Sequence, residues 1–429
     1  MKGATASMVE TYSRRSFLSG VLACGTLTAA TTWFIPGGRP ETDPTKKVVL
    51  RLATNDSAGT WNVLTQFWNE QHPEVEVKVT ERSGQTDDVN SAMYDQVKSR
   101  QADIVNLDVI HIAKFYKDDL IEPVRLISPN TFLGPALASS RIPGETDRYW
   151  AAPFYSDVGM LFSRAPANGE PSLAEVIDRL CAERARDLVL QLSPVDAGAA
   201  EPFVVNVWEQ ALARDDGLVG EDGCPSLDLN RWRAALEPIR NAMAKERILN
   251  TPTEPQSLEQ FKTTARSTPN SERPPLFMRN WPATYRDLQK VSDGDVMTGK
   301  IRVMPLIGSR GTPIGVLGGR SLALVKGSPN KEQAQQFIDF ATGLPAQKTL
   351  TYHGLVSPRV GVYNDPNLAA IIPHLNVVRR AIEHARLRPI THTYAEFSQA
   401  VREHVGPFLT GRGDLTKAFI TDIQKAVGC

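Results

Sequence analysis

Two short segments set aromatic rings beside polar side chains: Phe154-Tyr155-Ser156-Asp157 and Asn280-Trp281-Pro282-Ala283-Thr284-Tyr285. A sugar needs that mixture. Its C–H faces stack on aromatic rings, and its hydroxyls need the planar donors and acceptors that Asp, Asn and Arg supply. A plainer reading of Tyr155 and Trp281, as partly buried core or hinge residues, stands beside the first. Other chemistries lack their motifs. There is no His-Glu-x-x-His helix for zinc, no Gly-x-Ser-x-Gly nucleophile turn, and no phosphate loop ending in Gly-Lys-Ser/Thr. Gly315-Val316-Leu317-Gly318-Gly319 is glycine-rich but lacks dinucleotide spacing, and the seven histidines are scattered. A carboxylate pair for glycoside hydrolysis, drawn from distant segments, stays open. Arg412-Gly413-Asp414 reads as a turn before a last helix rather than as an adhesion tripeptide.

The elements that must position these residues show in the hydrophobic pattern. Val48 to Ala53 reads as a buried first strand. Trp61, Leu64 and Trp68, widened by Val63 and Phe67, form one face of a helix that ends at His72-Pro73. Val75 to Val79 alternates with period two, as a strand does. A helix around Ser91 to Ser99 and a strand from Asp103 to Val109 follow. This β-α-β-α-β succession predicts a mostly parallel sheet, with ligands gathering at the carboxyl ends of its strands. Asn55-Asp56-Ser57 and Asp108 lie at those ends. Tyr149 to Tyr155 predicts an aromatic-rich strand leading into 157–162. Ala334, Phe337, Ile338 and Ala341 share a helix face, with Ser328 as N-cap and Pro329 as first helical residue. Phe397, Val401, Val405 and Phe408 mark another helix, and Leu415, Phe419 and Ile423 a last one.

The N-terminus carries Ser13-Arg14-Arg15-Ser16-Phe17-Leu18, followed by an uncharged run to Ile35. This is the layout of a twin-arginine export signal. It predicts a chain that is folded first and then moved out of the cytoplasm, to the cell surface or the periplasm. Three fates are open for the segment. Thr28-Ala29-Ala30 suits cleavage, Val21-Leu22-Ala23-Cys24 suits lipidation at Cys24, and Phe17 to Ile35 is about long enough to remain as an anchor. Membrane attachment is the favoured expectation.

The chain holds 48 basic and 48 acidic side chains among 429 residues. Balanced charge argues against a nucleic-acid partner. After the signal and a Pro/Gly-rich leader, roughly 380 residues remain, enough for two lobes. The four cysteines include no Cys-x-x-Cys pair. For Cys181 and Cys224 a mutual disulfide and free thiols are both open.

From about Val48 to Val427 the chain resembles the extracellular solute-binding protein family 1, the sugar-capturing subunits of bacterial ABC importers. The likeness is to the maltose/trehalose branch. Phe67 to Val77 resembles the family's opening helix-to-strand passage, and Asp103 to Ile110 with Phe115 and Leu120-Ile121-Glu122-Pro123 its second βα unit. Trp150 to Gly159 and Leu317 to Leu324 resemble its two crossovers, Phe277 to Pro282 a segment of the maltose/trehalose branch, and Arg388-Pro389, Tyr394 and Ser398 its C-terminal signature.

The resemblance implies an α/β, two-lobed periplasmic-binding-protein-like fold (type II), each lobe a mixed sheet flanked by helices, with hinge strands between. Its implied divisions are a leader at 1–45, one lobe at 46–156 plus 320–360, and the other at 157–319 plus 361–429. The implied function is capture of a saccharide in the interlobe cleft and delivery to the membrane subunits of an ABC permease, by a monomer that is not an enzyme and uses no cofactor. Matching positions give Asp56, Asp108 and Asp157 as hydroxyl acceptors, Tyr155 and Trp281 as stacking surface, and Arg388 as donor. Gly318 and Gly319 would let backbone approach the ligand. Arg320 stands where such proteins often carry Trp, which leaves room for a charged or modified sugar. The stretch from Ala182 to Pro275 matches poorly. An exported enzyme acting on carbohydrate and a ligand sensor without a transporter are the competing readings.

Overall fold

The computed structural model describes residues 47–55, 58–81, 86–145, 147–165, 169–193, 200–263, 275–291 and 300–428. The export signal, Cys24 and Asp56 lie outside the described residues. Lys47 to Cys429 form one compact unit built on two sheets.

The first sheet begins as the pattern predicts. Strand β1 (Val48–Thr54), helix α1 (Ala58–Gln71), strand β2 (Val75–Glu81), helix α2 (Thr86–Lys98) and strand β3 (Ile104–Asp108) follow in order. Strand β1 pairs in parallel with both β2 and β3. Trp61, Leu64 and Trp68 of α1 are buried against Phe154 and Phe337. The Trp61 and Phe154 rings stack at 4.8 Å, and Trp68 Nε1 donates to the Val75 carbonyl at 3.1 Å, fixing the helix over the strand that follows it.

Helix α3 (Ile112–Lys117), strand β4 (Ile121–Glu122) and helix α4 (Gly134–Ala138) lead to strands β5 (Ala152–Val158) and β6 (Met160–Ser163). The chain leaves the first sheet on β5 and enters the second on β6, turning through Gly159. A Cβ there would stand 2.0 Å from a Glu209 carboxylate oxygen, so only glycine fits this crossing.

The second sheet draws on helix α5 (Leu173–Glu183), strand β7 (Leu188–Leu190), helix α6 (Ala200–Arg214), helix α7 (Leu229–Ala244), strand β8 (Ile248–Asn250), helix α8 (Glu254–Thr263), strand β9 (Phe277–Asn280), helix α9 (Thr284–Val291) and strand β10 (Arg302–Pro305). Its order is β10-β6-β9-β7-β8. Strand β11 (Leu317–Val325) then returns to the first sheet, giving β2-β1-β3-β11-β4 with β5 also paired to β11.

The expected mostly parallel sheet is corrected here. Only the β2-β1-β3 part is parallel, because β11 arrives from the far end of the sequence and runs antiparallel to β3, β4 and β5. Both sheets are mixed, and helices cover them. Helix α10 (Lys331–Ala341) packs on the first sheet. Helix α11 (Leu344–Tyr352), helix α12 (Val360–Tyr363), helix α13 (Pro366–Ile371) and helix α14 (Leu375–Glu383) precede the last pair, α15 (Tyr394–Leu409) and α16 (Lys417–Val427). Trp208, Trp232, Phe397 and Phe419 join α6, α7, α15 and α16 in one core.

Two local expectations change. Helix α10 is capped at Asn330 rather than Ser328, whose hydroxyl instead donates to buried Asp103 at 2.8 Å. Cys181 is a free thiol while Cys224 is disulfide-bonded, so the two do not pair with each other. Among the described residues no helix is long and apolar enough to cross a membrane.

Candidate functional site

A cavity of about 220 Å³ lies between the two sheets, at the carboxyl end of β3 and along the facing edge of β5 and β11. Eight of the nine expected cleft residues line it: Asp108, Tyr155, Asp157, Trp281, Gly318, Gly319, Arg320 and Arg388. The ninth, Asp56, lies outside the described residues.

Strand period explains two of these positions. Along β5, Tyr155 and Asp157 alternate with the buried Phe154, Ser156 and Val158, so both turn to the face that the core leaves open. On β11, Arg320 pairs across from Tyr155 on one side and Asp108 on the other. Its Nε donates to the Tyr155 hydroxyl at 2.9 Å. Gly319 makes this close pairing feasible. Its φ is +112°, and a Cβ would stand 2.3 Å from the Tyr155 carbonyl oxygen. The pairing shifts register just after Arg320.

Arg388 sits in the segment between α14 and α15 and is almost wholly buried. Its Nη2 donates to Asp108 at 3.2 Å and its Nη1 to Glu201 at 3.0 Å. Glu201 lies in the first turn of α6, where the helix dipole favours an anion. It also accepts from the Tyr394 hydroxyl at 2.8 Å and from Ser398 Oγ at 2.9 Å, both on α15. The Arg388 backbone is seated by Gly223, whose φ is +85° and whose Cβ would stand 2.6 Å from the Arg388 carbonyl.

Trp281 follows β9. Its Nε1 donates at 2.9 Å to Glu254, the first residue of α8, and Asn280 Nδ2 donates to the Glu254 carbonyl at 3.1 Å. Beneath it, the Arg279 guanidinium lies 4.0 Å from the Trp281 ring centroid. Arg279 and Glu209 form a fully buried pair through two hydrogen bonds of 2.6 and 2.8 Å. A buried amide chain adds to this support. Asn206 Nδ2 donates to Gln191 at 2.9 Å, and Gln191 Nε2 donates to the Arg279 carbonyl at 2.9 Å.

The carboxylates differ in their surroundings. Burial would raise the pKa of Asp108, but the Arg388 and Arg320 charges beside it hold it below the ordinary value. Asp157 goes the other way. Burial is the main cause, the charges of Glu254 and Asp108 add to it, Arg279 only partly opposes, and its pKa is pushed up to about 7. Burial also lowers the pKa of His111, next to Asp108 and Glu201, and so favours its neutral ring.

The arrangement offers aromatic surface, planar donors and acceptors, and backbone exposed at glycine. Glu201, Glu254, Pro202 and Val205 complete the lining and were not legible in the sequence. For Glu201 and Glu254 the available signal was an acidic residue in the first turn of a helix in the poorly matching middle region. Among the described residues, no group of three or more His, Cys, Asp or Glu side chains is placed to hold a metal ion.

No family model matches the sequence. Solved structures do. Maltose-bound MalE3 of T. maritima superposes with a TM-score of 0.71 at 22% identity, over 89% of this chain and 99% of that one. The GacH receptor of Streptomyces glaucescens, solved unliganded and with acarbose, superposes with a TM-score of 0.71 at 19% identity, over 89% and 99%. An ABC transporter solute-binding protein from Thermotoga lettingae, bound with α-D-tagatose, gives 0.69 at 16% identity over 90% and 99%. The fold is that of the ABC solute-binding proteins.

Proposed function

We propose that this protein is the extracytoplasmic carbohydrate-binding subunit of an ABC importer. It captures a saccharide in the interlobe cleft without turning it over and presents it to the permease membrane subunits. The observation that carries this reading is the cavity itself, which joins Trp281 and Tyr155 to Arg388, Asp108 and Asp157 in one small space. Rings for C–H faces and planar groups for hydroxyls are what a sugar requires. The fold supports it, since its structural neighbours include proteins solved with maltose, acarbose and tagatose. At about 220 Å³ the cavity falls below the roughly 300 Å³ at which drug-sized pockets begin, which suits a small saccharide.

The further parts of the proposal are a monomer with no cofactor, a lobe division at 46–156 plus 320–360 against 157–319 plus 361–429, and export by the twin-arginine route with membrane attachment near Cys24. The lobe division cuts the paired strands β5 and β11 at Asp157 and Gly319, where the lining residues cluster.

A thermal-shift screen of mono- and oligosaccharides tests the reading. A bound sugar at one hundred times its Kd stabilises the fold by about 2.7 kcal/mol. Trp281→Ala is expected to weaken that sugar by tenfold or more, on the order of 1.5 kcal/mol of lost stacking and burial. A broad panel that leaves the melting temperature unmoved would overturn the proposal.

A further inference from the structure

We propose that the saccharide taken by this cleft carries a protonated amine, held between the carboxylates of Asp157 and Glu254 beside Trp281. This rests on the carbohydrate reading above and deepens it.

The charge inventory of the cavity carries the argument. Among the described residues four carboxylates, Asp108, Asp157, Glu201 and Glu254, line it against two guanidiniums, Arg320 and Arg388. The guanidiniums are already engaged. Arg388 bridges Asp108 and Glu201. Arg320 donates to Tyr155 and lies across the strand pair from Asp108, whose ionised form its charge favours.

That leaves Asp157 and Glu254 as the surplus. Among the described residues Asp157 accepts only the adjacent Val158 N–H, at 3.2 Å, and Glu254 accepts the neutral indole N–H of Trp281. Arg279 is the cation that acts on Asp157, but its Nε and Nη2 are spent on Glu209. The neutral ring favoured at His111 supplies no counter-charge. Burial is the main cause of the pKa of about 7 at Asp157, and the charges of Glu254 and Asp108 add to it against the partial opposition of Arg279.

Each ligand class then meets a different balance. A phosphate or uronate would bring a further anion to a site that already holds more acids than guanidiniums. A neutral sugar would leave Asp157 and Glu254 with only the charge of Arg279, already shared with Glu209, as the cleft dries, which is costly. An ammonium has three donors and a positive charge and satisfies both acids at once. The Nε–H of Arg388, buried with no acceptor among the described residues, remains for a ligand oxygen, so the ligand is an amino sugar rather than a simple amine. Arg320 pointed in the sequence to a charged or modified sugar, and the geometry points to the sign of that charge.

Calorimetry on the mature protein tests this with matched probes: glucose, glucosamine, N-acetylglucosamine and glucuronate, and the amino, acetamido and acid forms of maltose and trehalose. The amine is expected to bind at least about tenfold tighter than its neutral parent, and N-acetylation to remove that gain. Asp157→Asn with Glu254→Gln should bring the amine down to the affinity of its parent. Glu254→Gln alone, with its thermal midpoint checked, covers the case in which the double variant does not fold, and should lose part of the gain. A neutral or acidic congener that binds as tightly as the amine overturns the amine assignment and leaves the carbohydrate reading standing. If no probe binds, the carbohydrate reading falls and takes this inference with it.

Discussion

Arg388 shows how much one side chain does here. Its planar fork reaches two carboxylates at 3.0 and 3.2 Å, from elements far apart in sequence, while its third nitrogen stays available. Lysine keeps the charge but offers one nitrogen, so Arg388→Lys cannot hold both acids in the same geometry. Calorimetry with a saccharide that binds the wild type should show a loss of about 1.5–3 kcal/mol, roughly ten- to a hundredfold. Affinity within threefold of wild type would remove Arg388 from the site. The sequence indicated Arg388, Tyr155 and Asp157 for different reasons. The last two stood out as an aromatic ring and an acid set close together, and the structure adds that the strand period turns both to one face. Arg388 was legible only through resemblance. Its partner Glu201 was not legible at all, because the contact spans 187 positions and depends on how α6 docks on α15.

The same contrast holds for whole elements. Helix α1 and strands β1, β2 and β3 could be read because a one-sided apolar stripe marks α1, a short apolar run β1, a strict alternation β2, and the β-α-β-α-β succession places β3. Strands β7 and β8 have three residues each, and β9 and β10 four, too short for periodicity to separate strand from buried helix. These unread strands carry the support of Trp281, since β9 ends in Arg279 and Asn280. Removing Glu209 leaves the Arg279 charge buried without its partner, which costs about 3–5 kcal/mol. Urea unfolding of Glu209→Ala should show a loss of that order, and sugar affinity should fall as Trp281 loses its footing. Pairing it with Arg279→Met should recover most of the stability, because no unpaired charge then remains. A single variant within about 1 kcal/mol of wild type would contradict this role.

At the scale of the molecule, the two sheets meet around a cluster of acids, and Asp157 stands where the chain passes from one sheet to the other. Burial and neighbouring acids raise its pKa to about 7 in the fold, against an ordinary value near 3.9 in the unfolded chain. The folded protein therefore keeps a proton that the unfolded chain releases between about pH 4 and pH 7. A group whose pKa is raised by folding contributes its stabilisation below the unfolded value and loses it as pH rises through the folded one. On this account the ligand-free protein becomes less stable from pH 5 to pH 8, with Asp157 supplying part of that decline. Asp157→Asn removes the titration while preserving shape and hydrogen-bonding capacity. Its thermal midpoint should fall less over the same interval, so the two curves, close together at pH 5, separate in the variant's favour by pH 8. Parallel curves for wild type and variant would mean that Asp157 ionises as freely in the fold as in the unfolded chain. The surplus of acid in the cleft would then impose no burden on the empty protein, and the argument for a cationic ligand would lose its energetic basis.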